Sequence, residues 1–216
     1  MKKPRVLIAD DHSILLAGLR KLIEDRCEVV GTVEDGQALV KAVRHLQPDL
    51  ILLDISMPLL NGLDAARQIK KLLPDAKLLF LTMHSSPTWA AEALKVGASG
   101  YLLKQSAATE LSQAIETVLK GQTYLAPAIV RPVLEAVSRP APPEIKSAVM
   151  DLTPRQREVL QLIAEGKSTK EVAEILCVSV KTVEFHKARI MEQLGLHSTT
   201  SLIKFAIAEG LASAES

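Results

Sequence analysis

The sequence predicts an α/β fold, a doubly wound five-stranded parallel sheet of (βα)5 form, followed by a separate all-α unit of four helices. Three observations carry this. From residue 5 onward, short apolar runs alternate with longer stretches of helical periodicity. Five of the eleven prolines then fall between 127 and 143, ending in "RPAPP" at 139–143. After Val149 only helical periodicity continues. The 216 residues, 48% hydrophobic and 24% charged, suit two small domains with real cores.

The first strand is read at Arg5–Ala9, where "VLIA" forms an apolar run that stops at Asp10. Four residues are too few for a secretory signal, and no run approaches the roughly 20 residues of a membrane span. The protein is therefore expected in the cytoplasm. A helix over 13–25 follows, with Leu15, Leu19 and Leu22 at helical spacing. Further strands are expected at Glu28–Val33, Leu50–Leu53, Leu78–Thr82 and Gly100–Leu103, with helices at 36–46, 62–72, 87–97 and 107–119 between and after them. Proline density sets 121–149 apart as a linker, with a short helix at 132–138 if Pro132 takes its first position. Thr153 before Pro154 caps the next helix, and helices are expected at 154–165, 169–176, 180–194 and 199–209. Only "CVS" at 177–179 separates the second and third of these, the short turn of a helix-turn-helix, with Cys177 where glycine is common. Cys27 and Cys177 lack the spacing of a zinc site or disulfide scaffold.

In an open parallel sheet, ligands gather beyond the carboxyl ends of the strands. Those ends carry Asp10 and Asp11, Asp54, Thr82 and Lys104. Asp54 alone, closing "DLILLD" before Pro58, reads as a strand-end turn residue. Together the five polar groups form a constellation. Three carboxylates around one point repel, and a hard divalent cation such as Mg2+ relieves them. Such a site suits phosphoryl transfer, with Asp54 as nucleophile and Lys104 and Thr82 on the transferred oxygens. An aspartate-nucleophile phosphatase is the competing enzyme reading, but it needs a second carboxylate two residues on, and residue 56 is serine. "GKST" at 166–169 lacks the glycine five residues earlier that a nucleotide-binding loop requires; Gly166 instead ends one helix and Ser168 or Thr169 caps the next.

Through "IADDH" at 8–12, "LLDISMPLLNG" at 52–62, "FLTMH" at 80–84 and "ASGYLLK" at 98–104, residues 1–120 resemble the receiver domain of bacterial two-component response regulators. The resemblance implies that Asp54 is the phosphoacceptor and that Asp10, Asp11, Asp54 and the backbone carbonyl of Ser56 hold Mg2+. It implies that Thr82 and Lys104 bind the phosphoryl group, and that Tyr101 is the aromatic switch acting on the surface of 87–97, 100–103 and 107–119. Gln105 stands where many receivers have proline, so a trans peptide is expected after Lys104.

A helix over 180–194 is about 22 Å long and fits a DNA major groove. Val183, Ile190 and Leu194 repeat on its inner face with His186 beside them. Lys181, Thr182, Glu184, Phe185, Lys187, Ala188 and Arg189 remain as a reading head, the alternative being a solvated charged face. The net charge of +1 makes any nucleic-acid contact local to such a face. "LTPRQREVLQLIAEGKSTKEVAEIL" at 152–176 and "VSVKTVEFHKARIMEQLGL" at 178–196 resemble the LuxR-type helix-turn-helix domain, placed here at 150–216. That resemblance implies operator binding as a dimer, with Leu202, Phe205 and Ala206 as interface candidates. The expected protein is a phosphorylation-controlled transcription regulator, supplied by a sensor histidine kinase and acting as a homodimer on a double-stranded DNA operator. It catalyses only its own phosphoryl transfer and dephosphorylation. A helix-turn-helix that binds protein instead of DNA is the remaining alternative.

Overall fold

The computed structural model describes residues 3–138 and 148–212, and side chains through residue 135 in the first of these segments. The chain divides into two compact units, one built on a sheet and one all-helical. In the first, strands β1 (Arg5–Ala9), β2 (Glu28–Val33), β3 (Leu50–Leu53), β4 (Lys77–Thr82), β5 (Gly100–Leu103) and β6 (Tyr124–Leu125) are all parallel. Their order is β2-β1-β3-β4-β5-β6. The central strand β3, "LILL", is buried at every position, as a strand covered by helices on both faces must be.

Helices α1 (Ser13–Ile23), α2 (Gly36–Leu46), α3 (Gly62–Leu72), α4 (Pro87–Lys95) and α5 (Ala107–Leu119) connect the strands. Their start signals are local: Asp35 caps α2 by accepting from Ala38 N–H, and Asn61 caps α3 by accepting from Asp64 N–H. The sixth strand has no counterpart among the five expected. It is two residues long, too short for any periodicity, and pairs Tyr124 with Gly100 and Leu125 with Tyr101.

The segment after residue 120 differs from the expected linker. Helix α6 runs Pro127–Ser138, with Pro127 at its start and Pro132 inside it, whereas the sequence pattern puts Pro132 first. Ile129 and Val133, one turn apart, are 1% and 2% exposed, so burial of an apolar face holds this helix through an internal proline. It packs on α4 and belongs to the first unit. The "RPAPP" stretch lies outside the described residues.

The second unit contains α7 (Pro154–Ala164), α8 (Thr169–Ile175), α9 (Val180–Leu194) and α10 (Thr199–Ala208). Thr153 and Gln156 form one capping box and Ser168 and Glu171 another, which settles Ser168 as the cap of α8. Gly166 has φ +79°, the left-handed residue that ends α7. Cys177 holds the tight turn at φ 53° without being glycine. Leu160, Val172, Val183, Ile190, Leu202 and Ala206 are fully enclosed in one core. Leu202 and Ala206 therefore serve that core, which corrects two of the three residues expected at a dimer contact; Phe205 is partly buried against the same cluster. No helix among the described residues is long and apolar enough to cross a membrane.

Candidate functional site

The polar groups at the strand ends converge because the parallel order brings β1, β3, β4 and β5 side by side. Lys104 Nζ lies 2.7 Å from Asp10 Oδ2 and 2.6 Å from Asp54 Oδ2, bridging β1 and β3 from the end of β5. The described residues contain no cis peptide, so Lys104 reaches both acids with Gln105 in the trans form. Burial alone would lower the Lys104 pKa, but Asp54 and the hydrogen bonds to Asp10 and Asp54 outweigh it and hold the ammonium above the usual lysine value.

Asp54 is 3% exposed, and its Oδ1 accepts from Ile55 N–H at 2.6 Å. The loop beyond it turns back tightly, with Gly62 N–H donating to Ile55 O at 2.7 Å. A Cβ on Gly62 would stand 1.9 Å from the Asp54 carbonyl oxygen, so no other residue fits there without displacing the acid's backbone. Asn61, Asp64 and Arg67 lock the first turn of α3 below: Asn61 Nδ2 donates to Asp64 Oδ2 at 2.8 Å and Arg67 pairs with Asp64 Oδ1 at 2.7 Å.

Beside Asp54 lies a candidate cation seat. Asp10, Asp11 and His12 each offer one ligand atom within 4.8 Å of the others. Asp11 Oδ1 is buried without a hydrogen-bond partner, although His12 Nδ1 stands 2.8 Å away. Burial pushes the Asp11 carboxyl up, with Asp10 and Asp54 adding to the rise and His12 opposing it. A partly buried carboxylate crowded by two further acids, with only a histidine ring against it, fits a hard divalent ion. His12 stands in the "IADDH" motif without a role that the sequence assigns, and only the fold brings its ring onto both acids.

On the other side Thr82, fully buried, accepts from His84 N–H through Oγ1 at 3.3 Å. Tyr101 is also fully buried; its hydroxyl donates to the His84 carbonyl at 2.8 Å. Burial, and secondarily Asp54, raises the Tyr101 pKa far above the ordinary phenol value. His84 completes the set with Nε2 2.8 Å from Ser56 Oγ. Burial lowers its pKa and Lys104 adds to that, with Asp54 opposing. The site thus holds a buried carboxylate, a lysine bridging two acids, and a buried hydroxyl on a neighbouring strand.

In the second unit, Ser179 caps α9 by accepting from Thr182 N–H at 3.1 Å. Val183 and Ile190 face the core, and Lys181, Glu184, Phe185, Ala188 and Arg189 are exposed. Phe185 is 58% exposed with the Arg189 guanidinium 5.7 Å from its ring centre. Thr182 and Lys187 are only partly exposed. Thr182 Oγ1 lies 2.8 Å from Ser179 Oγ, and Lys187 Nζ donates to Thr199 Oγ1 at 2.7 Å.

Comparison with known proteins agrees with this division. The response regulator receiver domain family matches residues 6–116, and the bacterial regulatory proteins of the luxR family match residues 150–206. The transcriptional regulatory protein MctR of Rhizobium johnstonii is 36% identical over 214 residues, covering 98% of this chain and 96% of that protein. The response regulator UvrY of Escherichia coli K12 is 35% identical over 212 residues, covering 97% and 96%. A solved structure of the RcsB response regulator of Salmonella typhimurium superposes with a TM-score of 0.67 at 31% identity, covering 97% of this chain and 99% of that one. RcsB bound to a promoter in the presence of a phosphomimetic gives a TM-score of 0.65 at 32% identity, covering 96% and 100%. The chain therefore belongs to the response regulators that join a receiver domain to a LuxR-type DNA-binding output domain.

Proposed function

We propose that Asp54 accepts a phosphoryl group from a sensor histidine kinase, and that this switches dimerisation and operator binding by the second unit. The single observation that carries the reading is the Lys104 bridge between Asp10 and Asp54 in a three-carboxylate site. Asp54 Oδ attacks phosphorus, the bond from phosphorus to the donor nitrogen breaks, and the donor imidazole leaves with a solvent proton. The product is an acyl phosphate on Asp54. Lys104 exchanges its contact with Asp54 for a phosphoryl oxygen, and the Thr82 hydroxyl donates to another.

Asp10, Asp11, Asp54 and the Ser56 backbone carbonyl would hold Mg2+, whose charge neutralises the transferred oxygens. Ser56 offers a hydroxyl where a phosphatase of this kind needs a carboxylate, and that hydroxyl is engaged with His84. Turnover of small phosphoesters is therefore disfavoured, and the phosphoryl group stays on Asp54 as a signal until the receiver's own dephosphorylation removes it. Residues 1–120 form the receiver proper, extended by β6 and α6, and 150–216 form the output domain. The exposed arc of α9 lies in the major groove, with Lys181 and Arg189 on phosphates or guanine edges and Phe185 available to a thymine methyl. RcsB is seen as dimers on DNA and on a promoter with a phosphomimetic, which supports operator binding as a homodimer here; the protein acts in the cytoplasm, where that operator lies.

The test incubates the full protein with Mg2+ and acetyl phosphate, then follows sedimentation and binding to DNA selected from a random pool. Wild type gains mass and affinity; Asp54→Asn does neither. Equal behaviour of the two proteins would remove phosphorylation from the mechanism. A full switch from 1:99 to 99:1 requires about 5.5 kcal/mol of differential stabilisation.

A further inference from the structure

His84 makes four contacts in four directions. Its ring Nε2 meets Ser56 Oγ at 2.8 Å, two residues beyond Asp54 on the same loop. Its backbone N–H donates to Thr82 Oγ1 at 3.3 Å, and its carbonyl accepts from Tyr101 at 2.8 Å. Its ring also lies against Trp89, with centroids 5.1 Å apart and planes inclined at 30°. Trp89 is 5% exposed and sits in the first turn of α4, the helix on which α6 packs. Close-packed groups of this kind transmit strain to one another. Helix α6 in turn precedes the second unit in sequence.

We propose that His84 is a positioning residue whose ring carries the state of the Asp54 loop to α4 through Trp89, and from α4 to α6. This rests on the phosphoacceptor reading of Asp54. The Thr82 and Tyr101 contacts are made by the backbone of His84, and those to Ser56 and Trp89 by its ring. Replacing the ring therefore separates this route from the Thr82–Tyr101 route. The two routes share one residue but not one set of atoms.

Trp89 is the single tryptophan of the chain, so its emission reports on the start of α4 alone. Full-length wild type, His84→Ala and His84→Gln are treated with acetyl phosphate and Mg2+ and compared at equal phosphorylated fraction, measured on phosphate-affinity gels. In wild type the emission of Trp89 changes on phosphorylation. In both variants that change is lost, and the phosphorylation-dependent gain in dimerisation falls by about 2- to 30-fold, the range expected for a residue within a coupling network. The His84→Gln side chain retains a hydrogen-bonding group toward Ser56 but no ring, so it tests the stacking contact even if alanine unfolds the loop. Trp89→Phe, which keeps an aromatic face, restores the gain in dimerisation that Trp89→Ala removes.

A merely structural His84 would lower the melting temperature of the variants and leave the gain at equal phosphorylation unchanged; that result overturns the proposal. So does a wild-type Trp89 emission that ignores phosphorylation. Failure of wild type to take phosphate on Asp54 would instead sink the phosphoacceptor reading on which the relay depends.

Discussion

Replacing Lys104 by methionine should destabilise the first unit more than any other single change at the site. The ammonium lies 2.7 Å from Asp10 and 2.6 Å from Asp54, with side-chain exposures of 8% for the lysine, 2% for Asp10 and 4% for Asp54. Solvent screening is therefore weak on all three groups. Removing one partner of a buried pair costs about 3–5 kcal/mol, chiefly because the remaining charge stays buried and uncompensated. Here two acids lose their cation, with Asp11 beside them, so the upper part of that range applies. Asp54→Asn should cost less, since Lys104 keeps Asp10. The assay is urea unfolding in EDTA followed by emission of Trp89, which lies in the first unit. Mg2+ at a hundredfold excess over its Kd should return about 2.7 kcal/mol by binding only the folded state. The pH dependence has a definite sign. The Lys104 pKa is raised in the folded state, so its contribution is complete below the ordinary lysine value and is lost as pH rises above it. Lys104→Met should lack that alkaline loss. A variant within about 1 kcal/mol of wild type in EDTA would refute the bridge as the element that holds the three acids together.

Three further outcomes are expected. Gly62→Ala puts a carbon 1.9 Å from the Asp54 carbonyl oxygen, so it should cost about 1–3 kcal/mol in urea unfolding and slow phosphorylation of Asp54. Neither tyrosine should ionise near pH 10 in the folded protein. Burial and the hydrogen bond to Glu110 push Tyr124 up to about 12, and burial pushes Tyr101 higher still. Stability from Tyr124 is thus present below the ordinary phenol value and lost as pH rises toward 12, and absorbance at about 295 nm in native and urea-unfolded protein reads the difference. Lys181→Ala should weaken DNA binding across sequences and reduce the salt slope by about 0.9, against no change if α9 does not meet phosphate.

The fold class is legible in the sequence alone, because its signals are local. Four of the first five strands and helices α2, α3, α5 and α9 have the expected bounds, since apolar runs and caps such as Asp35, Asn61 and Ser179 act within a few residues. The sequence also indicated which acids, threonine and lysine stand at strand ends, because parallel order brings those ends together. Strand β6 and the start of α6 escaped it: two paired residues carry no period, and burial of Ile129 and Val133 outweighs the propensity of an internal proline. Leu202 and Ala206 have the spacing of interface residues, yet the packing of α10 encloses them. The Lys104 bridge, the crowding of three acids around it and the four contacts of His84 come from the folded packing alone. Each depends on angstrom distances set by how separate elements pack, and no sequence pattern encodes such distances before the chain has folded.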